Sequence, residues 1–286
     1  MTDPMRIALA SFGPDEFAAL HTACVAAGHE PLAYVYCRSM RPKHRVDAGA
    51  AETVGRVLEG LPAGMDLLLP GTAQGLADQL AGYRLDLLVV YGFNWKLPLS
   101  VLRTPRSGVL NIHSSLLPKY RGPAPVLWAI RNGDAEIGLT VHRMDEQFDT
   151  GPILAQRGGI ALEEDITPQR LWPRIRPVLG DVLGVALDRV AKGLPGVPQD
   201  DAAASYAGFV EPEFSVVDWS RSSLQVHNQV RMFGFMGQGC APVAKVGGRW
   251  LKVLRTRREP VDGIRVECAD GPIWIVESAP AQPPGS

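Results

Sequence analysis

Two polar side chains two positions apart, Asn111 and His113, interrupt the otherwise apolar segment GVLNIHSS (Gly108 to Ser115). On a strand, residues spaced by two point to the same side, so the amide and the imidazole share one face while Leu110 and Ile112 share the other. A polar face at the tip of a strand in an open α/β sheet is where a ligand site would lie, and an imidazole there can take or give a proton near neutral pH. By itself the pair also fits a hydrogen-bonded strand end. The continuation SLLPKYRG, to Gly122, is an apolar loop kinked by Pro118 and followed by basic and aromatic residues, more exposed than core packing requires. A second segment, HRMDEQFDTGPILAQ (His142 to Gln156), carries Asp145, Glu146 and Asp149 ahead of a Gly-Pro turn. Adjacent parallel strands bring their carboxyl ends together, so Asp149 is expected to approach His113, raise its pKa and fix its tautomer. His142 reads as packing or local hydrogen bonding.

The elements that must hold these groups alternate. Strands are expected at Met5 to Ser11, Pro31 to Cys37 and Met65 to Leu69, with helices at Asp15 to Ala27, Val46 to Leu58 and Thr72 to Ala81. LDLLVVYG (Leu85 to Gly92) is nearly unbroken apolar sequence, the mark of a central strand buried on both faces. Gly108 to Ser115 and Ile137 to Met144 add strands around a helix at Pro125 to Arg131, and a long helix from Pro168 to Ala191 follows. The pattern predicts an α/β fold with a Rossmann-like, doubly wound, mostly parallel sheet whose ligands bind beyond the carboxyl ends of the strands. No GxGxxG follows the first strand, so the architecture carries no dinucleotide signature.

Gly193 to Asp201 reads as a connector, and beyond Ser205 the pattern changes. PVAKV and RWLKVLR flank Gly247 and Gly248, and GIRVECA and PIWIVES flank Asp270 and Gly271: two hairpins. Residues 1–204 are expected to form a catalytic domain and 205–286 a small β-rich, OB-like domain. VHNQVRMF reads as an amphipathic helix in which His227 and Asn228 are structural, and Trp219 as an anchor against the β domain. The tail AQPPGS (Ala281 to Ser286) is expected to lack regular structure.

Composition sets outer limits. A chain of 286 residues with 46% hydrophobic and 21% charged residues suits a folded protein of more than one domain. No apolar run approaches the roughly 20 residues of a membrane helix. The opening MTDPMRIALAS has no secretory pattern, so a cytoplasmic location is expected. Cys24, Cys37, Cys240 and Cys268 lack metal or disulfide spacing, and no metal is expected. A net charge of −1 gives no overall field for nucleic acid, although Arg38, Arg41, Lys43 and Arg45 cluster in one loop-like stretch.

NIHSSLLPKYRG together with HRMDEQFDTGPI resembles the formyltransferases that use 10-formyltetrahydrofolate, above all the branch of methionyl-tRNA formyltransferase and the sugar N-formyltransferases. VVDWSRSSLQVHNQVRMF (Val216 to Phe233) resembles the opening of that branch's second domain, so the likeness covers most of the chain. It implies that Asn111, His113 and Asp149 form a catalytic triad. It also implies that Trp95, Lys96 and Leu97, the loop Ser115, Leu116, Leu117 and Pro118, and the run Asp145, Glu146, Gln147 and Phe148 line a folate pocket, largely through backbone groups. The implied reaction moves a formyl group from the folate donor to a primary amine.

Two departures bear on that amine. CRSMRPKHRVDAG (Cys37 to Gly49) replaces the long Gly- and Lys-rich loop of tRNA-dependent enzymes, and Pro123 stands after YRG where sugar-nucleotide relatives often carry Arg. The acceptor is therefore expected to be a small-molecule or carrier-bound amine, including an amino sugar, with methionyl-tRNA as the alternative partner. Hydrolysis of the donor, or folate or RNA binding without catalysis, are more distant readings. An intact base, carboxylate and oxyanion donor argue against mere binding.

Overall fold

A computed structural model describes residues 3–284. Met1 and Thr2 of the opening segment, and Gly285 and Ser286 of the tail, lie outside the described residues; Ala281 to Pro284 form neither helix nor strand. The first half alternates as its sequence dictates: β1 (Arg6–Ser11), α1 (Pro14–Ala26), β2 (Glu30–Tyr36), α2 (Ala50–Gly60), β3 (Asp66–Leu68), α3 (Ala73–Ala81), β4 (Leu87–Tyr91), the short α4 (Leu99–Leu102) and β5 (Val109–His113). Pro14 opens α1 with Asp15 and Glu16 in its first turn, where carboxylates complement the helix dipole. Thr72 caps α3 through the Gly75 N–H. α5 (Pro125–Asn132), β6 (Glu136–Arg143), β7 (Ile153–Ala161) and the long α6 (Pro168–Ala191) follow.

The seven strands lie in the order β3-β2-β1-β4-β5-β6-β7, with β4 central as its apolar run requires. Pairings from β3 to β5 are parallel, whereas β5 and β6 run antiparallel. Ala8, Ala10, Val35, Leu88 and Val90 pack with Leu76, Leu80, Leu97 and Val101 into a core on one side of the sheet. Each such Leu or Val stabilises the fold by about 1.5–3 kcal/mol relative to exposure. β7 escaped the sequence reading because Gly158 and Gly159 interrupt it and its burial alternates only in part, as at a sheet edge.

The chain divides into two compact units. One holds the chain up to Arg121 with Gly138–Gly158 and Ile175–Ser205; the other holds Gly122–Ile137, Gly159–Arg174 and the chain from Tyr206 onward. In the second unit, α7 (Ser223–Met236) starts from a reciprocal Ser222–Gln225 capping box. β8 (Val243–Val246), β9 (Arg249–Arg257), β10 (Ile264–Cys268) and β11 (Gly271–Pro280) form an antiparallel sheet in the order β10-β11-β9-β8. Both expected hairpins are present. The four strands, among the described residues, are one fewer than the five of an OB barrel. Val226 and Val230 of α7 pack with Val253, Ile273 and Ile275, and Trp219 lies against this core with its Nε1–H donating to the Lys245 carbonyl.

Candidate active site

The antiparallel run of β5 and β6 changes how the site is assembled. Asn111 lies opposite His142, and His113 opposite Thr140. The carboxyl end of β6 thus meets the beginning of β5, not its end, which corrects the expectation of two parallel strand tips. Asp149 reaches His113 because the chain after Arg143 folds back. Asp149 adopts φ +56°, a left-handed conformation that Asp tolerates better than most residues. Gly151 passes so close to the Arg143 carbonyl that a Cβ would collide with it. Asp145 braces the turn by accepting from the Thr150 hydroxyl at 2.7 Å and the Gln147 N–H at 3.0 Å.

The structure brings Asn111, His113 and Asp149 together. Asn111 Nδ2 donates to Asp149 Oδ1 at 3.2 Å, and His113 Nδ1 lies 3.6 Å from Asp149 Oδ2. His113 Nε2 stands 2.7 Å from the Tyr120 carbonyl oxygen. A carbonyl only accepts, so Nε2 carries the proton and the neutral ring presents its lone pair at Nδ1, toward the carboxylate. Burial holds the His113 pKa below its ordinary value; Asp149 and the Tyr120 carbonyl pull the other way and lose. The expected upward shift is therefore reversed: the ring is 6% exposed, and desolvation of the cation outweighs a carboxylate that is not in close hydrogen-bond contact.

Four contributors escaped the sequence reading in whole or part. His142 is buried against the site, with Nε2 3.2 Å from Asn111 Nδ2 and 3.3 Å from Asp149 Oδ1. Tyr120 contributes its backbone oxygen, which no side-chain pattern reveals. Gln199, within the supposed connector, donates to the carbonyls of Asp149 and Gly151. Thr140 donates to the Ser115 carbonyl at 2.6 Å and accepts from the Leu117 N–H, fixing the loop after β5.

The residues expected around a folate divide by exposure. Trp95 and Leu97 turn their side chains into the core, and Trp95 donates to the Ser39 carbonyl at 2.8 Å, so only their backbone could meet a ligand. Ser115 and Leu117 are buried, whereas Leu116 is exposed and Pro118 half-buried. Asp145, Glu146, Gln147 and Phe148 are exposed, and Lys96 Nζ stands 5.1 Å over the Phe148 ring. Phe12, directly after β1, is 59% exposed with its ring lying over Gly92, and Phe148 is 53% exposed. Large apolar rings left to solvent, Phe12 after the first strand and Phe148 in the run that carries Asp149, suit a flat heteroaromatic ligand.

Residues 5–183 match the family model described as Formyl transferase. The chain belongs to the formyl transferase family. The methionyl-tRNA formyltransferase of Citrifermentans bemidjiense is 34% identical over 291 residues, covering 96% of this chain and 88% of that protein. Among solved structures, the N-formyltransferase of Helicobacter canadensis, in complex with folinic acid and dTDP-3-aminofucose, aligns with a TM-score of 0.68 at 14% identity, over 96% of this chain and 100% of that one. HypX of Aquifex aeolicus in complex with tetrahydrofolic acid aligns with a TM-score of 0.64 at 18% identity; the formyltransferase spans 98% of itself but 45% of that longer chain. At these identities the structural likeness is one of fold. The protein is a formyltransferase enzyme, and 10-formyltetrahydrofolate is the formyl donor of its family. Among the described residues, no cluster of His, Cys, Asp or Glu is arranged to hold a metal ion, and no helix is long and apolar enough to cross a membrane.

Proposed function

We propose that this formyltransferase moves the formyl group of 10-formyltetrahydrofolate to a primary amine through Asn111, His113 and Asp149, and that the amine is that of methionyl-tRNA. The observation that carries the catalytic part is the convergence of an amide donor and an imidazole on one carboxylate, with Asp149 3.2 Å from Asn111 Nδ2 and 3.6 Å from His113 Nδ1. The donor supplies an electrophilic formyl carbon. As the amine adds to it, the Asn111 amide donates a hydrogen bond to the oxygen on which charge grows, an effect worth about 3–4 kcal/mol in comparable oxyanion sites. The lone pair at His113 Nδ1 takes the proton that the amine sheds. Asp149, facing that nitrogen, stabilises the resulting imidazolium and passes the proton toward the departing folate nitrogen.

The acceptor assignment rests on likeness to methionyl-tRNA formyltransferases over nearly the whole chain. The loop after β2 adds to it: Arg41, Lys43 and Arg45 are exposed there and form no ion pair among the described residues, as a phosphate-binding surface would. A small amine, such as an amino sugar, is the second reading, favoured by the replaced loop at Cys37 to Gly49 and by the fold shared with the sugar-nucleotide enzyme. Either reaction belongs in the cytoplasm, where folate donors and charged tRNA occur together.

The test supplies 10-formyltetrahydrofolate alone, then with methionyl-tRNA, then with a panel of amino sugars and amino acids, at several salt concentrations. Transfer to methionyl-tRNA that weakens steeply with salt supports the proposal. Preferred transfer to a small amine replaces the acceptor assignment, and formate release without any acceptor replaces transfer by hydrolysis.

A further inference from the structure

His142 makes three polar contacts, one through Nδ1 and two through Nε2. Its Nδ1 lies 2.9 Å from the Arg143 carbonyl oxygen, which only accepts, so Nδ1 carries a proton. With Nδ1 as a donor, Nε2 is free to present its lone pair to Asn111 Nδ2 at 3.2 Å, and the same Nε2 lies 3.3 Å from Asp149 Oδ1, so amide and imidazole converge on one carboxylate oxygen. The other Nδ2 hydrogen goes to Asp149 Oδ1, also at 3.2 Å. The Asn111 side chain is therefore clamped at both hydrogens, and its orientation is fixed because a carbonyl oxygen turned toward the carboxylate and the lone pair would meet two acceptors.

We infer that His142 is a positioning residue for formyl transfer, holding the Asn111 amide in the rotamer from which one N–H passes to the formyl oxygen. The bond from Asn111 to the Asp149 carboxylate is charge-assisted and a bond to the imidazole lone pair is not, so the latter is the one an incoming anionic oxygen displaces. Cross-strand pairing supplies the precision: Asn111 and His142 are direct partners on β5 and β6, and His142 is fully enclosed, leaving its ring no other place to turn. The inference rests on the proposed role of Asn111.

The experiment measures kcat, KM for 10-formyltetrahydrofolate and thermal midpoint for His142→Ala, His142→Asn and His142→Gln, each made also in an Asn111→Ala background. Loss of the clamp lowers kcat by about 10- to 100-fold with KM changed by less than about threefold, the scale of a misplaced catalytic group. The Gln side chain reaches far enough to offer Oε1 to the same Asn111 hydrogen and restores kcat to within about fivefold; the shorter Asn does not. In the Asn111→Ala background, His142 substitutions cost nothing further, because the group they position is gone. Wild-type kcat in a folded His142→Ala or His142→Asn variant overturns the inference, as do equal losses for Gln and Ala or additive losses in the double variants. Normal turnover of Asn111→Ala itself overturns the underlying assignment instead, and with it the inference.

Discussion

The side-chain amide of Gln199 donates to the main-chain oxygens of both Asp149 and Gly151 at 2.8 Å, while its own oxygen accepts from Arg121 Nε and Nη2 at 3.0 and 2.9 Å. The carboxylate that faces His113 is thus held from behind by a residue fifty positions later. Asp145 braces the turn from within, and Gln199 adds two hydrogen bonds to it from outside. Gln199→Ala is expected to lower kcat several-fold by loosening Asp149, and to cost about 1–3 kcal/mol of stability for the two lost bonds. Steady-state kinetics beside urea denaturation checks this; unchanged kcat would remove Gln199 from the machinery.

Removing the proposed oxyanion donor should be far more damaging. Asn111→Ala is expected to reduce kcat by about 10²- to 10³-fold. KM for the donor should move much less, since the bond strengthens only as charge develops on the oxygen. Single-turnover kinetics with saturating donor separates the two effects.

The lowered pKa of His113 fixes the sign of a pH effect on rate. The proposed base works as the neutral ring, so activity is retained above its pKa and lost as pH falls through it. Because burial places that pKa under the ordinary 6.5, the acidic limb of kcat/KM should have its midpoint below 6.5. A limb centred at or above that value would mean that Asp149, not burial, governs the ring.

Stability has a parallel dependence. The pKa of His227 is lowered by burial, although Glu164 Oε1 lies 2.8 Å from its Nε2 and opposes the shift. A folded pKa below the unfolded one makes the contribution complete above about 6.5 and lost as pH falls through the folded value. The midpoint of chemical denaturation is expected to drop between pH 7.5 and 5.5, and to drop less in His227→Gln.

Gly151 offers a steric test of the same turn. An added methyl would strike the Arg143 carbonyl oxygen, so Gly151→Ala is expected to destabilise by about 1–3 kcal/mol and to displace Asp149. Differential scanning calorimetry together with turnover should show both losses; a variant of normal stability and activity would mean the turn yields easily.

Legibility in the sequence followed periodicity and residue type. LLVVY of β4 is central because it is apolar at every position, and Asn111 and His113 share a face because strands alternate. The hairpins around Gly247–Gly248 and Asp270–Gly271 carry their own turn chemistry. What periodicity does not encode is strand direction, and β6 turned out to run against β5. Nor does residue type reveal a main-chain acceptor such as Tyr120, or whether burial outweighs a neighbouring charge at His113. Gln199 lay hidden because its segment has the Gly, Pro and Asp content of an ordinary connector.

The registry between β5 and β6 has a practical corollary. Since side chains alternate along each strand, sliding one strand by a single residue would turn His142 away from Asn111 and Thr140 away from His113 all at once. The same slip would carry Asp149, which follows β6, away from His113, so misassembled molecules would be inert rather than sluggish. After refolding, residual turnover would count the properly built fraction of a sample, making the reaction its own assay of how the sheet was put together.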